Sequence, residues 1–170
     1  LNGSDDLADN NGVGNQTDLA EKFPFLRDMG LSTLVGFIWS LPTLLNGFPL
    51  IFWDSGYYIY NMFHLWYPAK IAWRPLTYSV FMRPPVELFG FQGGVVAQNI
   101  VLAYFLYRFA KLCWEGISRK IFFGVAMAMI ATPMIHISNF IMPDLFSIPA
   151  VLALVGFFQC EDDEKWFFGT

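Results

Sequence analysis

Apolar positions dominate three long stretches of the chain, and the third is divided by a short polar turn. No Asp, Glu, Lys or Arg lies between Leu31 and Trp53 or between Leu88 and Tyr107, and Asp144 is the one such residue from Ile121 to Gln159. A helix needs about 20 apolar residues to cross the hydrocarbon core of a bilayer. The pattern therefore predicts transmembrane helices over about 31–53, 89–109, 121–137 and 145–159, of which the last is short.

Composition supports the same class of protein. The chain is 55% hydrophobic and 14% charged, whereas soluble domains carry about a quarter charged residues. We therefore expect an all-α, polytopic membrane protein with about four transmembrane helices and an outer loop after the first. Residues 31–170 form the membrane domain, and residues 1–30 form a polar, acidic tail with an interfacial segment. A soluble helical bundle with a large core is the alternative.

The basic residues near the predicted span ends set the orientation. The loop between the second and third spans holds Arg108, Lys111, Arg119 and Lys120, and an excess of Lys and Arg marks cytoplasmic loops. This places the N-terminus in the cytoplasm and residues 54–88 on the outer face. We expect the membrane to be the inner membrane of a bacterium. An anionic ligand would explain why that outer loop still carries Lys70, Arg74 and Arg83.

The remaining composition narrows the partners. No basic stripe lies outside the loops next to the spans, which excludes a nucleic-acid partner. Cys113 and Cys160 are too few for a disulfide scaffold and are expected to be reduced thiols facing the cytoplasm. Membrane lipids are the expected surroundings, and we expect both ends of the sequence to continue in a longer protein.

Two carboxylates converge on the outer face in this topology. Asp54 closes the first predicted span, and Asp144 lies in the turn between the third and fourth. A carboxylate there acts as a general base towards a hydroxyl, or holds a divalent cation against a phosphate, with Asp54 as the candidate ligand. The alternatives are a turn after the first span for Asp54 and the N-cap of the fourth helix for Asp144.

Bases and aromatic rings surround these acids in the sequence. Arg74 and Arg83 are candidates to clamp phosphate oxygens. Tyr57, Tyr58 and Tyr78 offer flat faces for a sugar ring and hydroxyls that orient it. The alternative for the rings is an aromatic belt at the membrane interface.

The order of these motifs resembles the GT-C type of membrane glycosyltransferase. The resemblance rests on "WDSGYYIY" at 53–60, "RPLTYSVF" at 74–81 and "RPPVELFG" at 83–90, followed by a second span and a later hairpin with Asp144. It implies transfer of a sugar from a polyprenyl-phosphate donor at the outer face. It further implies Asp54 as the catalytic or metal-binding acid, Asp144 as a second acid, and Arg74 and Arg83 as contacts to the lipid phosphate.

This chain departs from the GT-C pattern in two ways. Ser55 follows Asp54 where many members have a second acid. Members also contain many more spans, so we expect a module of this length to be inactive alone.

Other classes of protein remain open at this point. A non-catalytic membrane subunit of a respiratory, photosynthetic or transport complex is the main alternative, and a transporter fragment is another. A lone His64 or His136 is a possible cofactor ligand, although such residues more often bond a neighbouring helix. Gln98 and Asn139 are predicted to form hydrogen bonds between helices.

Overall fold

The computed structural model describes residues 24–64, 76–114 and 116–159. Every secondary-structure element assigned within these ranges is an α-helix or a 3-10 helix, which agrees with the predicted all-α class. The elements are α1 (Pro24–Trp39), α2 (Leu41–Asn46), α3 (Ser55–Phe63), α4 (Leu76–Cys113), α5 (Ser118–Ala131), α6 (Met134–Ile137), a 3-10 helix (Pro143–Phe146) and α7 (Ser147–Gln159).

The first predicted span, 31–53, is not one continuous helix. The helix begins earlier, at Pro24, and breaks at Ser40, whose hydroxyl donates to the Gly36 carbonyl at 2.8 Å. Helix α2 then ends at Gly47, which has a left-handed φ of 76°. Such a φ suits glycine and ends a helix. Residues 47–54 are therefore non-helical.

The predicted outer loop, 54–88, is helical in both of its described parts. Helix α3 and the first part of α4 pack together through Tyr58 and Met62 on one side and Tyr78 and Met82 on the other. Each pair is spaced by four residues, so both side chains lie on one face of their helix. This apolar spacing was obscured by the charged and aromatic residues around it, and the loop prediction is corrected there.

Helix α4 consists of two arms that meet at Gly90, whose φ of 71° and ψ of −174° are not helical. The arms, residues 76–89 and 91–113, pack closely against each other. A Cβ added to Gly94 would lie 2.7 Å from Met82 Cε and 2.8 Å from Val86 Cγ2. A larger residue at this position would require the Met82 and Val86 side chains to shift.

The second arm of α4 builds a core with α1 and α5. This core contains Trp39, Leu102, Tyr107 and Phe122, and the Trp39 indole N–H donates to the Ala126 carbonyl at 3.3 Å. Helices α1 and α4 touch at Gly36, where a Cβ would lie 2.6 Å from Ile100 Cα. The backbones of these two apolar helices thus approach closely at a glycine. Small residues allow the same close approach between helices in membrane proteins.

One helix in the described part of the chain, α4, is long and apolar enough to cross a membrane. The third predicted span is interrupted, because α5 ends at Ala131 and Pro133 precedes the single turn of α6. The arrangement with four spans therefore stays a prediction.

Candidate functional site

The non-helical segments 47–54 and 138–142 meet at a backbone bridge, and we call this meeting point the crossing. Leu50 and Phe140 form a parallel bridge, in which the Leu50 N–H donates to the Asn139 carbonyl at 3.2 Å and the Ile141 N–H donates to the Leu50 carbonyl at 3.3 Å. Backbone groups that leave a helix inside an apolar protein need such partners, because an unpaired buried group is costly.

Two amide side chains bond further backbone groups in and around these segments. The Gln98 amide donates to the Ser138 and Phe140 carbonyls at 3.0 Å each. The Asn139 amide donates to the Trp39 carbonyl at 2.8 Å, and its oxygen accepts the Thr43 N–H at 3.2 Å. Gln98 and Asn139 were predicted to form hydrogen bonds between helices. Both amides bond other parts of the fold, but Asn139 and the Ser138 and Phe140 carbonyls lie in non-helical backbone.

This crossing also joins the segments that carry the two predicted acids. The Ser55 hydroxyl donates to the Ile141 carbonyl at 2.7 Å and accepts the Phe52 N–H at 2.9 Å. Asp54, half-buried, immediately precedes α3, and its carboxylate does not cap that helix. Asp144 is exposed in the first turn of the 3-10 helix, three residues after Ile141.

A cavity of about 530 Å³ opens along helix α3, and Trp53 and Gly56, on either side of Asp54 and Ser55 in the sequence, are among its lining residues. It is lined by Trp53, Gly56, Tyr57, Tyr60 and Asn61. Trp53 and Tyr57 are largely exposed, whereas Asn61 is only 4% exposed. We call this the aromatic cavity. Because these residues were predicted to form a loop, the helical spacing that brings their side chains together was not recognised from the sequence.

The predicted binding residues fall into different environments. Tyr57 lines the aromatic cavity, but Tyr58 and Tyr78 are buried in the core, with ring centroids 5.4 Å apart. The Tyr78 hydroxyl donates to Gln98 Oε1 at 2.7 Å, so its direct contacts are structural. The core packing of α3 against α4 is what withdraws these two rings from the surface.

The two predicted phosphate contacts are described unequally. Arg83 Nε donates to Glu87 Oε1 at 2.6 Å in a solvent-accessible pair one helical turn apart. Arg74 lies outside the described residues. A phosphate at Arg83 would therefore compete with a carboxylate that is already bound.

A cation at Asp54 would have few protein ligands. Within the described ranges, no three His, Cys, Asp or Glu side chains gather as a metal site. Mg²⁺ often keeps several waters and binds through one or two carboxylates and a substrate phosphate. A single carboxylate at Asp54 fits this mode of Mg²⁺ binding, in which waters and a substrate phosphate supply the other ligands. It does not fit a site whose ligands are all protein side chains.

A third acid, Asp28, was not predicted to matter. It is 1% exposed, and its Oδ2 lies 2.8 Å from Lys111 Nζ and 3.8 Å from an Arg108 nitrogen. A spacing signal was present, because Arg108 and Lys111 lie three residues apart and so share a face of α4.

No family model, curated protein or solved structure matches this chain.

Proposed function

We propose that the chain is a membrane glycosyltransferase module that uses a polyprenyl-phosphate sugar donor at the outer membrane face. The observation that supports this most is the position of Asp54 at the start of α3, the helix that carries most of the residues lining the aromatic cavity. The Ser55–Ile141 hydrogen bond joins this segment to the one in which Asp144, the proposed second acid, follows Ile141 by three residues. An acid beside an apolar cavity with a few polar groups is a common form of active site.

In the proposed reaction, Asp54 acts as general base. Its carboxylate takes the proton of the acceptor hydroxyl as the hydroxyl oxygen attacks the anomeric carbon of the donor sugar. The bond between that carbon and the phosphate oxygen breaks, and polyprenyl phosphate leaves with the bonding electrons. General-base catalysis contributes about 10²–10⁴ in rate.

Asp144 and the arginines have supporting roles in this proposal. Asp144 is exposed, so it reaches solvent or an acceptor that approaches from the membrane surface. Arg83 and Arg74 are proposed to bind the lipid phosphate, with Arg83 exchanging Glu87 for the phosphate. Tyr57 covers one face of the bound sugar from the cavity wall.

The test uses the full-length protein in nanodiscs with a polyprenyl-phosphate sugar and its acceptor. Asp54→Asn keeps the size of the side chain and removes the base, so we expect the transfer rate to fall by about 100-fold or more. Asp162→Asn, in the acidic run near the end of the sequence, is the matched control and should leave the rate unchanged. Full transfer by Asp54→Asn would rule out this role.

A non-catalytic subunit of a larger membrane complex is the second candidate. Helix α7 exposes Ile148, Val151 and Leu154, which lie on one face at spacings of three residues. Native electrophoresis of gently solubilised membranes separates the two proposals. A stable complex with other chains, combined with a harmless Asp54→Asn substitution, would favour the subunit.

A further inference from the structure

Helix α3 has one face that the core does not use. Trp53, which precedes the helix, and Tyr57, Tyr60 and Asn61 within it are spaced as i, i+4, i+7 and i+8, so they share one side. The opposite side buries Tyr58 and Met62 in the core. The rings of Trp53, Tyr57 and Tyr60 are exposed on this outer side, and the buried Asn61 lies at its border with the core side.

The lining of the aromatic cavity favours an uncharged ligand. The described residues that line it include no Lys, Arg, Asp or Glu. Charged donors such as arginine bind a phosphate group best, and none of the described lining residues supplies one.

Asn61 argues against a purely apolar ligand such as an acyl chain. Its side chain lines the cavity and the residue is 4% exposed, yet no hydrogen bond joins its amide to another described residue. A buried amide that meets only hydrocarbon costs free energy, and nearly all buried polar groups have partners. The occupant should therefore offer hydrogen bonds of its own.

A sugar ring meets both requirements. An amide has two N–H donors and a carbonyl acceptor, which match a pair of neighbouring hydroxyls. Trp53 and Tyr57 supply flat apolar surface for the C–H face of the ring. Tyr60 is held in place by His64, whose ring stacks on it at 4.2 Å between centroids and 9° between planes. The cavity volume of about 530 Å³ lies in the range of small-molecule sites.

We infer that the aromatic cavity binds an uncharged pyranose ring and that Asn61 determines specificity by bonding its hydroxyls. The inference depends on the proposed function only in treating that ring as a reactant of the transfer. It adds the ring form of the sugar and the role of Asn61, and it places the phosphate outside the cavity.

The experiment measures binding by ligand-observed saturation-transfer NMR, with the full chain in phosphatidylcholine nanodiscs. The probes are methyl α-D-mannopyranoside and methyl β-D-glucopyranoside, with methyl phosphate and 1-hexanol as comparison ligands. We expect saturation of the pyranoside ring protons and a clear preference over both comparison ligands. Equal or stronger binding of methyl phosphate or hexanol would overturn the assignment.

Two substitutions test the residues. Asn61→Leu keeps the volume but removes the hydrogen bonds, so pyranoside affinity should fall at least tenfold. Gln92→Leu, an amide in the separate groove between α1, α2 and α4, is the matched control and should bind as the native chain does. Unchanged affinity in Asn61→Leu would overturn the role of Asn61.

Gly56→Leu provides a decisive variant if Asn61→Leu does not fold. A Cβ at Gly56 meets nothing within 4 Å, so the larger side chain enters the cavity without displacing the core. Pyranoside binding should be lost, and retained binding would place the sugar elsewhere.

The failures of the two proposals are distinguishable. If pyranosides bind but Asp54→Asn leaves transfer intact, the cavity assignment stands and the catalytic role is wrong. If Asp54→Asn abolishes transfer while Asn61→Leu changes neither binding nor the KM for the donor, the catalytic role stands and the cavity assignment is wrong.

Discussion

Asp28 and Asp54 are both aspartates at ends of the predicted first span, but their surroundings differ. Asp28 is enclosed between α1 and α4, with Lys111 at 2.8 Å and Arg108 at 3.8 Å from its Oδ2. Asp54 is half-buried and leads into the short helix α3, which carries most of the described residues that line the aromatic cavity. The Asp28 carboxylate is enclosed beside two cations, whereas the Asp54 carboxylate is the acid that we propose to react.

The largest predicted effect on stability is at Asp28. Asp28→Ala leaves Lys111 and Arg108 beside each other without their carboxylate, and breaking a buried ion pair costs about 3–5 kcal/mol. Reversible unfolding in mixed micelles measures this change in the free energy of unfolding.

Glu87→Gln is the matched control for Asp28→Ala. It breaks the exposed pair with Arg83, and exposed pairs contribute about 0–1 kcal/mol. Equal losses for the two variants would show that Asp28 is not a buried structural ion.

The next effect is expected at Gln98. Gln98→Leu removes the donors of the Ser138 and Phe140 carbonyls and the acceptor of the Tyr78 hydroxyl. Each unsatisfied buried group costs about 1–3 kcal/mol, so the free energy of unfolding should fall by about 2 kcal/mol or more. Gln92→Leu serves as the control, and an equal loss in that variant would argue against the crossing as a stabilising element.

A smaller effect separates core tyrosines from cavity tyrosines. Tyr78→Phe removes one buried hydrogen bond to Gln98 and should cost about 1 kcal/mol of stability without changing the KM of sugar transfer. Tyr57→Ala should raise that KM and leave stability nearly unchanged, because the ring is 56% exposed. The reverse pattern would indicate that Tyr78, and not Tyr57, contacts the sugar.

The smallest perturbation tests the crossing of the non-helical segments. Cysteines at positions 50 and 140 should form a disulfide, because residues in a bridge lie within its usual Cα separation. Cys113 and Cys160 are replaced by serine first. A gel-shift assay with a maleimide reagent measures the remaining thiols, and full reactivity under oxidising conditions would show that the segments do not meet.

Helical content, and the roles of Gln98 and Asn139, followed from composition and from the rarity of amides in apolar stretches. The break at Gly90 did not follow, because an apolar stretch is equally compatible with one helix or with two. The cavity was missed because α3 is dense in aromatic residues on every side, so hydrophobicity alone does not separate its core face from its open face.

The convergence of Asp54 and Asp144 on one face came from the predicted four-span topology and stays a prediction. The structure joins their two segments through the hydrogen bond from Ser55 to the Ile141 carbonyl. Burial of Tyr58 and Tyr78 depended on how α3 packs against α4, which no local pattern specifies. Asp28 was overlooked because an acid next to an arginine near a span end resembles an ordinary solvated pair.

The most direct test of the difference between the two acids measures thermal unfolding and sugar transfer on the same preparations of Asp28→Asn and Asp54→Asn. We predict that Asp28→Asn lowers the unfolding temperature and keeps transfer per folded molecule. We predict that Asp54→Asn keeps the unfolding temperature and loses transfer by about 100-fold or more. Full transfer by folded Asp54→Asn would contradict the assignment of Asp54 as the reactive acid.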